Sequence, residues 1–335
     1  MLKIETVKKA WINTGGRKRI SFSQFADWVK CPWAWKLGYI DKLKTYEPSV
    51  HCAFGQAIHE PVQIFVKRLY DEGSLAADGV DMIEIFLVTF EKELNQTRKV
   101  YKRDKEGEYE KNKAGKRILL EVVPSPIVIT AEEKIEFIKQ GTEILDSIKS
   151  YTNRKTLFPS GKYECVGIEI PLNMPIMNNL SFTGYIDIIL RDKITGKYKI
   201  IDLKTSTRMW NKYQQNDTLK AYQLILYKAF YAQQYGVPLN KIDIEFLILK
   251  RILLEGAKFS EKRTQKVVPP SSKHFVDEAV SALVAFVDNA FTENGEFNKK
   301  AKFKKTPHKG KGQYSNCKYC DFSIKRGGTC DRKED

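Results

Sequence analysis

Aspartates inside apolar runs are costly to bury, and this chain places two of them close together. Asp187 interrupts FTGYIDIILRD (182–192), and Asp202 interrupts KYKIIDLKT (197–205), with Lys204 two residues on. Strand side chains alternate between faces, so Tyr198, Ile200, Asp202 and Lys204 share one face and Ile201 and Leu203 the other. By the same count Tyr185, Asp187 and Ile189 share a face, opposite Ile186, Ile188 and Leu190. The intervening KITG (193–196) is a turn signal, so the two strands should form a hairpin that brings Asp187 and Asp202 to one region. Carboxylates placed there repel and lose hydration unless a cation or a proton compensates. A hard divalent ion meets that need, because Mg2+ takes one or two carboxylates, keeps waters and accepts phosphate oxygens. A neighbouring ammonium can then orient an attacking water or neutralise charge on a phosphate. Taken alone, Asp-x-Lys equally suits an ordinary ion pair at a strand end.

The surrounding periodicity supplies elements able to position these groups. SFSQFADWVKCPWAWKLGYI (21–40) reads as a Ser-capped helix interrupted near Pro32, and FGQAIHEPVQIFVKRLY (54–70) as a second helix carrying His59 in its early turns. Helical periodicity returns at 80–98 and 131–151, separated by the polar run 97–117, which reads as a mobile connection. Composition then turns β-rich through KYECVGIEIPL (162–172) and the two runs above. A helix at 215–236 ended by Gly236, a strand at 242–250, a basic connection and a helix at about 272–292 complete the order. The expected organisation is a basic arm over 1–20 and one α/β domain over 21–335. Within that domain lie a helical insertion at about 70–160, a core at about 161–295 and a basic, Cys-bearing tail at 296–335.

Composition narrows the class. A chain of 335 residues with 42% hydrophobic content can fill a sizeable core. Nothing approaches the roughly 18 consecutive apolar residues of a membrane span, and the first residues lack the apolar block of a secretory signal. A reducing cytoplasm is therefore the expected location. Fifty-seven Lys and Arg against forty-one Asp and Glu leave a net charge of +16. The stretch 297–313 holds seven Lys and no acid, and is either a solvated tail or a polyanion contact. The other basic region, 98–118, offers the same choice.

Four motifs in order make the pattern more specific. GYID (184–187), DLKT (202–205) and QLILY (223–227), with FGQAIH (54–59) upstream, resemble the PD-(D/E)XK nuclease superfamily and, within it, the RecB-like branch. The likeness runs from Ser21 to Cys330, with a divergent middle at about 70–160. It implies an α/β, restriction-endonuclease-like fold with a mixed central sheet flanked by helices. It implies a Mg2+- or Mn2+-dependent DNA nuclease, expected to act as an exonuclease on single strands or duplex ends in repair, recombination or phage-type DNA processing. A recombination or helicase partner would suit that role. Asp187 and Asp202 would be the acidic metal ligands, with His59 and the Leu203 carbonyl completing the set, and Lys204 the catalytic lysine. Asp stands at 202 where many relatives carry Glu, and the superfamily name allows both. Gln223 and Tyr227, one turn apart on a helix face, would contact DNA or hold the helix to the sheet. His59 without the motif reads as a partly buried polar residue, and Glu169 as a solvated strand residue in preference to a second acid that supports the site. Trp33 and Trp35 could stack on bases, though core packing suits them better. A non-catalytic nucleic-acid-binding module of the same fold and an RNase are the competing readings.

The six cysteines fall at 31, 52, 165, 317, 320 and 330. CKYC (317–320) on its own suggests zinc, with His308 available as a further ligand. One Cys before the core and three after it resemble the RecB-like subgroup with a four-iron, four-sulfur cluster, which includes CRISPR-adaptation exonucleases and AddB-type nuclease domains. That likeness implies Cys31, Cys317, Cys320 and Cys330 as thiolate ligands, with a longer gap before Cys330 than the family usually has. Free thiols are the third reading. Cys52 and Cys165 are expected in the core.

Overall fold

The computed structural model describes residues 7, 9–43, 49–102, 104, 110, 112–113, 118–159, 161–253, 262–306, 317, 320–323, 328 and 330. The first half of the chain contains β1 (Lys18–Ile20), α1 (Phe22–Lys30), α2 (Pro32–Trp35), α3 (Val50–Asp71), α4 (Ser74–Asp78) and α5 (Met82–Leu94). A small hairpin follows, β2 (Thr97–Tyr101) with β3 (Leu119–Pro124), and then α6 (Ala131–Lys149) and α7 (Tyr151–Leu157). The second half runs β4 (Tyr163–Met177), β5 (Leu180–Asp192), β6 (Tyr198–Ser206), α8 (Lys212–Gln215), α9 (Thr218–Tyr235), β7 (Ile242–Lys250), β8 (Thr264–Val267) and α10 (Lys273–Ala290).

Local chemistry sets these boundaries. Ser21 caps α1 through the Gln24 N–H, and the chain leaves that helix at Cys31, whose extended backbone precedes Pro32 at the start of α2. Asp217 caps α9, and Gly236 ends it with a φ of 67°. The KITG turn closes the β5–β6 hairpin as expected: Asp192 Oδ1 accepts from the Ile194 and Thr195 N–H groups, and Gly196 takes a φ of 66°.

The central sheet is mixed. β4–β5 and β5–β6 are antiparallel, β6–β7 is parallel and β7–β8 is antiparallel. β5 shares its second edge between two partners. β6 pairs with Ile188–Arg191, while β1 pairs in parallel with Leu180–Phe182. Thr183–Asp187 therefore lies in a fork between β1 and β6. One face of the sheet packs against α1, α9 and α10, around Phe25, Leu224, Phe230 and Phe286. The other packs against α3, α5 and α6, around Phe54, Phe65, Phe90 and Ile144.

Three expectations need correction. The polar run at 97–117 opens with β2, whose partner β3 gave no alternating pattern because most of its residues face solvent. Strict alternation fails in β5: Ile186 and Ile189 join the α9 side, whereas Ile188 and Leu190 join the α3 side. The parity breaks at Asp187, opposite Glu169 of β4, a non-glycine residue with a left-handed φ of 48° that breaks the regular pleat. Cys52 is exposed on the first turn of α3 rather than buried, because that turn projects past the core stripe that begins at Ala53.

Candidate active site

The fork in β5 builds the site. Pairing between β5 and β6 stops at Ile188↔Ile201, so Asp187 and Asp202 occupy the next positions, where the strands part. Asp187 fills the gap with its own side chain, and Oδ2 accepts the Leu203 N–H at 2.7 Å. On β6, Asp202 and Lys204 point the same way, with Nζ 2.8 Å from Oδ2. The pair is a close salt bridge, and with no other donor to the buried Asp202 Oδ2 that oxygen keeps acceptor capacity to spare. β6 holds this position from behind: Ile201 and Leu203 are buried on the α3 side, and Asp202 and Lys204 are in register with Phe246 and Ile248 of β7.

Helix α3 delivers the imidazole. Gly55 approaches the end of β6 so closely that a Cβ there would lie 3.2 Å from Thr205 Oγ1. His59, one turn later on the same side, places Nδ1 3.7 Å from Asp187 Oδ2. From the opposite side α9 brings Tyr227 over Gly184 of the GYID stretch, where a Cβ would meet the phenol oxygen at 2.9 Å. Gln223 hydrogen-bonds that phenol, so the pair reaches the site together.

Glu169 is the residue that sequence reasoning misplaced. It is 6% exposed, accepts from Gln63 Nε2 at 2.8 Å, and has Lys9 Nζ 3.0 Å from Oε2. Its carboxylate acts electrostatically on Asp187, His59 and Tyr227, so it belongs to the same cluster. The signal was the strand register: Glu169 lies between Ile168↔Ile188 and Ile170↔Ile186, opposite Asp187. Alternation alone could not reveal that its left-handed backbone turns the side chain inward.

Charge in the cluster is poised. Burial first, and then the neighbouring carboxylates against the pull of Lys204, push Asp187 and Asp202 each up to about 6. Burial and the Lys204 charge push His59 down to about 4, so its imidazole is neutral at neutral pH and can serve as a ligand. Lys204 is raised, because Asp202 and Asp187 outweigh the burial that opposes its charge. Burial and the nearby Asp202 keep the Tyr227 phenol protonated well above its ordinary value.

A family model described as the PD-(D/E)XK nuclease superfamily matches residues 19–324, from β1 to the cysteine-bearing tail. The chain belongs to that superfamily. The mixed sheet flanked by helices agrees with its restriction-endonuclease-like fold, and nucleic acid is the class of substrate on which PD-(D/E)XK nucleases act. No curated protein matches the sequence.

Members of this superfamily typically use Mg2+ or Mn2+. Among the described residues no three His, Cys, Asp or Glu side chains are gathered as a formed metal group. The donors nonetheless suit a hard cation: two ionisable carboxylates raised by burial, a neutral imidazole, and a buried Asp202 oxygen with acceptor capacity beyond its salt bridge to Lys204.

Cys31, Cys317 and Cys330 each act electrostatically on Cys320, but among the described residues no three of these thiols are gathered as a formed metal group. They form no disulfide. Cys31 sits in the joint between α1 and α2. The tail docks beside it, where the Lys304 carbonyl accepts the Trp33 N–H and the Lys30 carbonyl accepts the Thr306 hydroxyl. Burial raises the Cys320 thiol, and Cys31, Cys317 and Cys330 are all near enough to raise it further. Cys165 is half-buried, packed against the edge of the α3-side core rather than inside it as expected, and burial pushes it up to about 11. His308 lies outside the described residues. Trp35 is 1% exposed and packs among Phe286, Phe291 and Phe303, as expected of a core residue. Trp33 is half-buried between Lys36 and Lys305.

Proposed function

We propose that the protein is a divalent-metal-dependent DNA nuclease of the RecB-like branch, an exonuclease serving repair, recombination or phage-type DNA processing in a reducing cytoplasm. The observation that carries this reading is the β5–β6 fork, which sets Asp187 and Asp202 side by side with Lys204 on one face and His59 opposite. Asp187, Asp202, His59 and the Leu203 carbonyl would hold Mg2+ or Mn2+. When bound, that ion would polarise the scissile phosphate and supply an activated water. Lys204, kept charged by its two aspartates, stabilises negative charge on the phosphate and orients the attacking water through its ammonium. The imidazole of His59, neutral at working pH, adds a ligand without adding repulsion. Gln223 fixes the Tyr227 phenol, which stays protonated and therefore presents a hydrogen-bond donor to the site. Asp187, in accepting the Leu203 N–H, fixes the carboxylate against the strand that carries Asp202 and Lys204.

We propose that Cys31, Cys317, Cys320 and Cys330 hold a four-iron, four-sulfur cluster, because four thiols from the two chain ends share one neighbourhood and thiolates are the usual ligands of such clusters. Anaerobically purified protein should be brown with visible absorption, whereas colourless protein with stoichiometric zinc rejects the cluster.

The deciding assay incubates labelled single-stranded DNA, duplex DNA and RNA with Mg2+ or Mn2+, comparing wild type with Asp202→Ala and Lys204→Ala. Wild type should cut DNA, and each variant should lose about a hundredfold or more in rate. A wild type that cuts nothing, or variants that cut equally well, would show the assignment to be wrong.

A further inference from the structure

The basic arm before β1 folds across the mouth of the site. Four contacts hold it there. The Val7 N–H donates to Glu60 Oε1 at 2.9 Å, next to His59; Tyr185 Oη donates to the Ala10 carbonyl at 2.9 Å, two residues from Asp187. Asn173 Nδ2 donates to the Asn13 carbonyl at 2.7 Å, and Arg19 Nη2 to the Ile12 carbonyl at 2.8 Å. Ile12 is buried at 4% exposure, so the arm is seated rather than loosely laid.

Lys9 and Trp11 of this arm face outward. Lys9 is 58% exposed, yet its ammonium lies 3.0 Å from Glu169 Oε2 and 5.2 Å from the centre of the Tyr185 ring. It is thus a second cation at the acidic cluster, and its charge acts on both His59 and Asp187. Trp11 is 81% exposed, with the Arg19 guanidinium 4.7 Å from its ring centre on one side. From residue 7 to residue 26 the sequence contains five Lys and Arg and no acid. An exposed indole backed by a guanidinium, beside a lysine at a phosphodiester site, has the composition of a platform for a single strand.

We infer that the arm before β1 is part of the substrate path: Trp11 stacks on an unpaired base of single-stranded DNA while Lys9 contacts an adjoining phosphate at the entrance to the site. The inference rests on the nuclease reading above and adds the element that receives the strand. Duplex DNA hides its base faces from such a platform, so the arm favours single strands.

Binding measured without cleavage separates the two ideas. Full-length protein in EDTA is titrated with fluorescent oligo(dT), and with the same oligomer carrying abasic positions, for wild type, Trp11→Ala, Trp11→Phe and Lys9→Ala. Trp11→Ala should weaken oligo(dT) binding roughly tenfold, and Trp11→Phe should restore most of it. The abasic oligomer should bind wild type and Trp11→Ala alike. Lys9→Ala should reduce the slope of log K against log salt by about 0.7, the loss of one phosphate contact on a single strand. Equal oligo(dT) affinity for Trp11→Ala and wild type, or faster cleavage by either arm variant once Mg2+ is added, overturns the role of the arm and leaves the nuclease reading standing. Failure of wild type to bind either oligomer likewise overturns the role of the arm, whereas the nuclease reading falls only if wild type with Mg2+ or Mn2+ cuts nothing.

Discussion

At the scale of single residues, the site is held in a state that costs stability. Asp187 and Asp202 are raised to about 6, so as pH rises from about 4 the unfolded chain releases these protons before the folded one does. Their contribution to stability is present below about pH 4 and is lost between about pH 4 and 6. His59, lowered to about 4, moves the other way over pH 4 to 6.5, since the folded chain must bury it neutral. Comparing wild type with Asp202→Asn removes most of the His59 effect, which both proteins share, and isolates Asp202. The stability of Asp202→Asn relative to wild type should climb across pH 4 to 6, by up to about 3 kcal/mol. Its slope with pH is the informative readout, because the Lys204 ion pair forms only as Asp202 ionises and is already contained in the raised pKa, whereas any repacking around the new amide shifts the difference by a constant. Denaturant unfolding in EDTA at a series of pH values measures it, and a flat difference would mean that Asp202 titrates normally. Adding Mg2+ or Mn2+ at pH 7 should raise the melting temperature of wild type and not of the variant, since a ligand of the folded state alone stabilises it.

Elements explain why some of this was legible in the sequence and some was not. β6 obeys a period of two from end to end, so Asp202 and Lys204 could be placed on one face from the letters alone. Capping residues likewise announced α1 and α9. β5 could not be read this way, because its parity breaks where its neighbour carries Glu169 in a left-handed conformation. β1, three residues long, lacks the length to declare a period, yet by pairing with Leu180–Phe182 it creates the fork. Gln63, Glu169 and Lys9 meet across long stretches of sequence, and no local pattern links them. Gly184 belongs to a recognisable motif, but its physical reason appears only when α9 is in place. A methyl group at 184 would stand 2.9 Å from the Tyr227 oxygen and 3.1 Å from its ring, with the phenol buried and unable to swing away freely. Gly184→Ala should therefore cost about 1–3 kcal/mol of stability and displace the phenol from the site. Nuclease rate should fall at least tenfold, and the combination with Tyr227→Phe should cost less than the two changes summed, since both act on one contact. Strict additivity in thermal denaturation and in rate would show that the helix is positioned by something other than this contact.

For the whole molecule, the decisive fact is that the joint between α1 and α2 and the C-terminal tail meet on one side of the sheet. Phe303 is buried in the same core as Trp35, the Lys304 carbonyl accepts the Trp33 N–H, and the Thr306 hydroxyl donates to the Lys30 carbonyl next to Cys31. A cross-link from Cys31 to the three later cysteines would close a loop of nearly the full chain length, where the loss of unfolded-state entropy is largest. It would also fix the lysines at 299–305 in space, turning a charge run into a surface able to meet a polyanion. The proposed cluster predicts what Cys31→Ser should do. The tail beyond Thr306 should become sensitive to trypsin, the melting temperature should drop by several degrees, and the affinity for DNA should fall and lose part of its salt dependence as basic contacts are released. The Asp187, Asp202 and Lys204 geometry lies on strands that the tail does not build, so cleavage at saturating DNA should be largely retained. Unchanged proteolysis and melting in Cys31→Ser would mean that the packing of Phe303 and the backbone bonds to Lys30 and Trp33 suffice to hold the tail. A loss of cleavage at saturating DNA with intact folding would instead couple the cysteines to the fork itself, which nothing in the arrangement of β5 and β6 requires.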